Sequence, residues 1–220
     1  MRPIYSTILF DFDGTLTSSL NSWLESYHYA FSQFGVALSD EDIVNRCFYR
    51  AFEDVVAEFN LPCSIRFGEL IKEGLAVSIE KVKLYEGVNE SLTACAQHKI
   101  KLAVVTSAPR LVVEKALRIL NIDSFFNTLV TADDVVNFKP HPEPVSIALK
   151  RLGSEPEETL MIGDSQADIF AAKAAGVRIG LFHPEEHKQF YDFQKLRNSQ
   201  PHFIFDHYDS LHEYLFIMAD

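Results

Sequence analysis

Ile4-Tyr5-Ser6-Thr7-Ile8-Leu9-Phe10-Asp11-Phe12-Asp13-Gly14-Thr15 sets a short apolar run directly before two acids and a turn-prone Asp-Gly pair. A run of that length, ended by Asp13-Gly14, predicts a buried strand from Ile4 to Phe10. In extended backbone, residues two apart point to one side, so Asp11 and Asp13 crowd two carboxylates into one spot. Two anions placed so repel unless a cation or a proton intervenes. The plain alternative is a solvated acidic turn.

Beyond this segment the pattern becomes helical, from Ser18 to about Lys83. Leu20, Trp23, Leu24, Tyr27, Phe31 and Phe34 recur at spacings of three and four, as one face of an amphipathic helix does. Ser39 with Asp42 reads as an N-cap before Ile43, Val44 and Cys47. Phe52, Val55, Val56 and Phe59 form a third stripe, and Leu70, Ile71, Leu75, Ile79 and Val82 a fourth. After Gly87 short apolar runs alternate with helical periodicity. Strands are expected at Lys101–Thr106, Thr128–Thr131, Thr159–Gly163, Val177–Phe182 and His202–Asp206, with a closing helix over Ser210–Met218. Such alternation predicts an α/β fold with a parallel sheet covered on both faces. Functional groups of that fold gather beyond the carboxyl ends of the strands.

Three further groups fall at those ends. Thr106-Ser107-Ala108 offers a hydroxyl and backbone N–H groups suited to phosphate oxygens, or an ordinary helix cap. Lys139, in Asn137-Phe138-Lys139-Pro140-His141-Pro142, is a compact cation in a stiff loop. Gly163-Asp164-Ser165-Gln166-Ala167-Asp168 places one acid at a strand tip and another about one helical turn later. Carboxylate oxygens are what Mg²⁺ prefers, although two acids at a helix start also complement its dipole. Each signal is modest alone. Together, in this order and at successive strand ends, they define one candidate site.

The quartet DFDGT, VVTS, the lysine before Pro140, and GDSQAD resembles the four motifs of the haloacid dehalogenase superfamily. The similarity extends to Leu84-Tyr85-Glu86-Gly87-Val88, to Phe125-Phe126, and to the run Ala171–Gly176. It points to the phosphoglycolate-phosphatase-like branch, which carries a helical cap just after the first motif. The resemblance implies a doubly wound, Rossmann-like core over residues 1–16 and 87–220, with an inserted all-helical cap over 17–86 that closes over the strand ends. It also implies a mechanism. Asp11 would attack phosphorus to give an aspartyl-phosphate, and Asp13 would act as general acid and then base. Thr106, Ser107, Ala108 and Lys139 would hold the phosphoryl group. Mg²⁺ would be held by an Asp11 oxygen, the Asp13 carbonyl and Asp164. Gly14 and Thr15 would support the first loop, and Asp168 would orient Lys139 or a metal-bound water.

The chain departs from the family at Thr17 and Glu86, away from this chemistry. It also departs at Asn45-Arg46-Cys47-Phe48-Tyr49-Arg50, where phosphoglycolate-type enzymes usually carry a glycine. Arg46 and Arg50 are therefore candidates for contact with a substrate anion, set against the reading that they are exposed helix arginines. The implied activity is Mg²⁺-dependent hydrolysis of a small phosphate monoester, phosphoglycolate-like or a sugar phosphate. A β-phosphoglucomutase-type phosphomutase and a non-catalytic phosphate-binding protein share the fold and remain alternatives. Dehalogenases lack the second acid, and phosphorylated receiver modules lack an inserted cap.

Composition bounds the partners. Hydrophobic residues make up 47% of the 220, enough for a sizeable core, and the formal net charge is −11. Such a surface repels nucleic acid and anionic lipid, so a small phosphorylated metabolite is the expected partner. Positive charge must then be concentrated locally. Cys47, Cys63 and Cys95 are odd in number and show no CxxC spacing, which fits a reducing compartment. With no signal-like or membrane-length apolar segment, a cytoplasmic location is expected. His183, His187 and His202 match no zinc template and read as surface or strand-edge residues.

Overall fold

A computed structural model describes residues 4–48 and 50–216. Tyr49 of the divergent helical segment, and Ile217 and Met218 of the expected closing helix, lie outside the described residues. The chain forms two compact units, Met1–Ser18 with Lys83–Asp220, and Ser19–Val82.

The first unit is built on six strands: β1 (Thr7–Phe10), β2 (Lys101–Val105), β3 (Thr128–Val130), β4 (Thr159–Gly163), β5 (Arg178–Phe182) and β6 (Phe203–Phe205). They form one sheet in the order β3-β2-β1-β4-β5-β6, and every neighbouring pair is parallel. β1 and β4 are buried along their whole length, and apolar after their first threonines, because they are interior strands with both faces covered. The strand expected from Ile4 begins only at Thr7. Ser6 still hydrogen-bonds the Glu158 carbonyl, but residues 4–6 lie outside the ladder. Helices α5 (Val88–Gln97), α6 (Arg110–Ile119), α7 (Glu143–Leu152), α8 (Gln166–Ala174), α9 (Phe193–Asn198) and α10 (Tyr208–Phe216) connect or follow the strands. One core cluster joins Leu9, Ala103, Met161 and Ile179 of the sheet to Val145, Ala148, Ile169 and Ala172 of α7 and α8. The chain runs outward from β1 through β2 to β3, then returns across β1 to β4. The order reverses at β1, which makes the tips of β1, β2 and β4 the switch-point crevice of such a sheet.

The second unit contains α1 (Leu20–Ser32), α2 (Asp40–Arg46), α3 (Phe52–Glu58) and α4 (Ser64–Ser78). Leu20, Leu24, Tyr27 and Phe31 bury the α1 stripe, and Phe31 packs edge-on to Phe59 and Phe67 at 5.0 and 5.1 Å. Gly74 lets α4 lie against α1, since a Cβ there would come within 2.9 Å of the Ser26 backbone. Ser39 caps α2 by accepting from the Asp42 N–H at 3.1 Å. The unit boundaries fall at Ser18 and Lys83, not at 16 and 87, because the two connecting segments pair with each other. Ser18 N–H donates to the Lys83 carbonyl at 3.0 Å, and Tyr85 N–H to that of Leu16 at 3.1 Å. Among the described residues no helix is long and apolar enough to cross a membrane, and Cys47, Cys63 and Cys95 are unpaired.

Candidate active site

Asp11 follows β1, Thr106 follows β2, and Asp164 follows β4, so three strand tips face one crevice. Lys139 enters from the loop before α7. Its ammonium lies 2.8 Å from Asp11 Oδ1 and 2.6 Å from Asp168 Oδ1, and donates to the Val105 carbonyl at 3.0 Å. All three charged side chains are buried. Burial alone would pull a lysine down, but the two carboxylates reverse that and raise its pKa, so the ammonium stays charged. Glu143 fixes the approach of this loop by accepting from the N–H groups of Val136 and Asn137 at 2.8 and 3.0 Å.

The opposite holds for the acids. Burial raises the Asp11 carboxyl, and the charges of Asp168 and Asp13 add to it, with Lys139 opposing. Burial likewise raises Asp164, reinforced by Asp168 and Asp11 and opposed by hydrogen bonds from Tyr191 and Thr15. If all were ionised, the acids of the crevice would outnumber its lysine, and their raised pKa values express that repulsion.

That imbalance bears on a cation. Oxygens of Asp11, Asp164 and Asp168 lie within 4.8 Å of one another. Asp168, however, is already committed: Oδ1 receives Lys139, and Oδ2 accepts from the Ser165 hydroxyl at 2.6 Å and the Ser165 N–H at 3.1 Å. Together with the Ser165 hydroxyl accepting from the Asp168 N–H, this forms a capping box at the start of α8. Gly163 makes the arrangement possible, because a Cβ there would stand 2.5 Å from the Asp168 carboxyl carbon. Asp11 and Asp164 remain as the carboxylates for a hard divalent ion, and oxygen donors around uncompensated charge fit Mg²⁺.

Thr106 is buried, its hydroxyl accepting from the Ala108 N–H at 3.1 Å, while Ser107 is exposed beside it. Thr15 donates to Asp164 Oδ1 at 3.0 Å and is held in turn by Tyr208, whose hydroxyl donates to the Thr15 carbonyl at 2.9 Å. Gly14 takes a left-handed conformation, φ 74°, which turns the chain after Asp13. Arg46 and Arg50 belong to the helical unit and pair there with Glu58, with the Arg46 guanidinium 4.3 Å from the Phe59 ring centroid.

Tyr191, absent from the sequence reading, donates its hydroxyl to Asp164 Oδ2. It lies between β5 and α9 in a stretch with no motif, so no local signal marks it. His187, expected at a surface or strand edge, is fully buried instead. Its Nε2 meets the Tyr85 hydroxyl at 2.9 Å, and burial pushes its pKa down to about 3.

Comparison with known proteins identifies the family and agrees with the fold. The family model described as "Haloacid dehalogenase-like hydrolase" matches residues 8–182. A protein named pyrophosphatase PpaX from Anoxybacillus flavithermus is 35% identical over 190 residues, covering 79% of this chain and 81% of its own. A crystal structure described as a predicted phosphoglycolate phosphatase from Haemophilus somnus superposes with a TM-score of 0.82 at 25% identity, covering 96% of this chain and 98% of that one. CbbY from Rhodobacter sphaeroides, solved with phosphate, shares the fold with a TM-score of 0.79 at 21% identity, over 93% and 95% of the two chains.

Proposed function

The chain belongs to the haloacid dehalogenase-like hydrolases as an enzyme of the phosphatase type, and from that membership we propose that it hydrolyses a small phosphate monoester by way of Asp11. The observation that carries the proposal is the buried Asp11–Lys139–Asp168 constellation beside Asp164 at the sheet's switch point. A buried lysine between two carboxylates is a costly way to stabilise a fold, but it suits a site that must receive a phosphate dianion.

Asp11 attacks phosphorus through a carboxylate oxygen. The bond from phosphorus to the ester oxygen breaks, and Asp13 protonates the departing alkoxide. Water then attacks the aspartyl-phosphate and gives its proton to Asp13, which releases phosphate and restores Asp11. Lys139 stays protonated throughout, holds the Asp11 carboxylate and offsets charge on the transferring oxygens. The Thr106 hydroxyl, held by the Ala108 N–H, and the N–H of residue 107 supply further donors. When bound, Mg²⁺ would be held by Asp11, Asp164 and the Asp13 carbonyl, where it would neutralise phosphoryl charge. At 4 Å a unit-charge pair is worth roughly 4 kcal/mol in a partly solvated site, so several carboxylates facing a dianion require such compensation.

Inserted directly after the first motif, the helical unit Ser19–Val82 is proposed as a substrate-selecting cap, and the three free thiols suit a reducing cytoplasm. Relatives named pyrophosphatase favour a second substrate class, an inorganic diphosphate. Both are tested by phosphate release from a panel of small esters, phosphoglycolate and diphosphate, with Mg²⁺, with chelator, and with Asp11→Asn. Mg²⁺-dependent release that disappears in the variant supports the reading, and the ranking selects the class. No release from any of them would count against hydrolysis.

A further inference from the structure

The Asp164 carboxylate is fully buried, and each of its two oxygens accepts from a different segment of the chain. Thr15, in the loop after β1, donates to Oδ1, and Tyr191, after β5, donates to Oδ2. A carboxylate offers about four lone-pair directions, so two donors leave room for a cation on the remaining ones. The Tyr191 hydroxyl is also held in place. Its ring is half-buried against the core of the sheet unit and packs edge-on to His187, with ring centroids 5.5 Å apart. Its N–H donates to the His187 carbonyl at 3.0 Å. His187 is fixed in turn by Tyr85, which packs edge-on to Phe182 of β5 at 4.8 Å. One residue further on, Asp192 caps α9 by accepting from the N–H groups of Gln194 and Lys195. The phenol therefore reaches Asp164 from a packed aromatic stack and a capped helix, with little rotational freedom left to lose.

We propose that Tyr191 is a positioning residue for the cation: it holds Asp164 in the orientation that receives a divalent metal, and so sets the metal affinity of the site. The inference rests on the metal role proposed for Asp164. Ring packing alone needs no hydroxyl, whereas a buried carboxylate without this donor can turn away from Asp11. Loss of a partner that orients a metal ligand weakens metal binding by about 10–100-fold.

The test is calorimetric titration of Mg²⁺ into metal-free protein without substrate, for wild type, Tyr191→Phe and Asp164→Asn. Thermal melts in chelator and in Mg²⁺ accompany it. Tyr191→Phe keeps the ring, and the expected result is an Mg²⁺ Kd weakened by at least about tenfold. The Mg²⁺-induced rise in Tm should shrink at a fixed concentration. An unchanged Kd, with any loss of Tm equal in chelator and Mg²⁺, would reduce Tyr191 to a packing residue and overturn the inference. Tighter binding in the variant would overturn it too, marking the phenol as a competitor of the metal. Binding that wild type shows and Asp164→Asn loses would leave the role of Asp164 intact in either case. Absence of binding in wild type would instead strike that role, and this inference with it.

Discussion

Two of the constellations that pair basic side chains with carboxylates, one in each unit, differ in burial more than in composition. In the sheet unit, Lys139 sits between Asp11 and Asp168 with all three side chains buried. In the helical unit, Arg46 and Arg50 share Glu58 on a surface where their side chains keep 41%, 36% and 30% of their exposure. Water screens the second group, so its charges cost little and stabilise little. The first group lies where charge is expensive and attraction strong, and where removing the lysine strands both acids. Location, more than residue type, separates a buried, tightly coupled cluster from a solvated one.

The largest expected effect comes from breaking the buried cluster chemically. Asp11→Asn should lower phosphate release by at least about a thousandfold while far-ultraviolet circular dichroism shows an intact fold. The same variant should melt higher than wild type in chelator at neutral pH. Burial and neighbouring acids raise the Asp11 pKa, so the folded protein holds a proton that the unfolded chain has released. Stability from this group is thus lost as pH rises through the raised pKa, and a neutral amide removes that loss. Breaking the cluster structurally comes second. Lys139→Met should cost about 3–5 kcal/mol in denaturant unfolding, because Asp11 and Asp168 lose their counter-charge.

His187 offers an effect of the opposite sign that is absent at neutral pH and grows only on acidification. Its pKa falls to about 3 on folding, so below the unfolded value of 6.5 the unfolded chain takes up a proton that the folded protein refuses. Stability should decline from pH 6.5 towards 3, with a slope of at most about 1.4 kcal/mol per pH unit from this residue. His187→Gln should flatten that part of the curve. Smallest of all, Glu58→Gln should leave Tm unmoved at physiological salt, since its partners are exposed arginines. A large loss there would erase the contrast between the two clusters.

The strand tips were legible because Asp11, Thr106 and Asp164 each directly follow an apolar run, and parallel topology fixes where such ends lie, whereas Lys139 enters from a loop. Strand limits were legible to within a few residues, the first strand starting at Thr7 in place of Ile4. Partners distant in sequence were not. Nothing near Tyr191 announces that it reaches Asp164, 27 residues earlier. The burial of His187 depends on Tyr85, 102 residues away. Arg46 and Arg50 looked open to a substrate anion because helical spacing does not show Glu58 folding back to meet them. The unit boundaries moved to Ser18 and Lys83 for a similar reason, since backbone pairing between two connecting segments leaves no mark in either one.

The most direct test of Asp11 as nucleophile is intact-protein and peptide mass spectrometry of Asp13→Asn after acid quench from p-nitrophenyl phosphate and Mg²⁺. A nitrophenolate leaves without an acid's help, whereas the water step loses its base, so the intermediate should accumulate. A single phosphoryl adduct, labile to hydroxylamine, is expected on the peptide carrying Asp11. An unmodified protein at every quench time, together with phosphate release that survives Asp11→Asn, would contradict it.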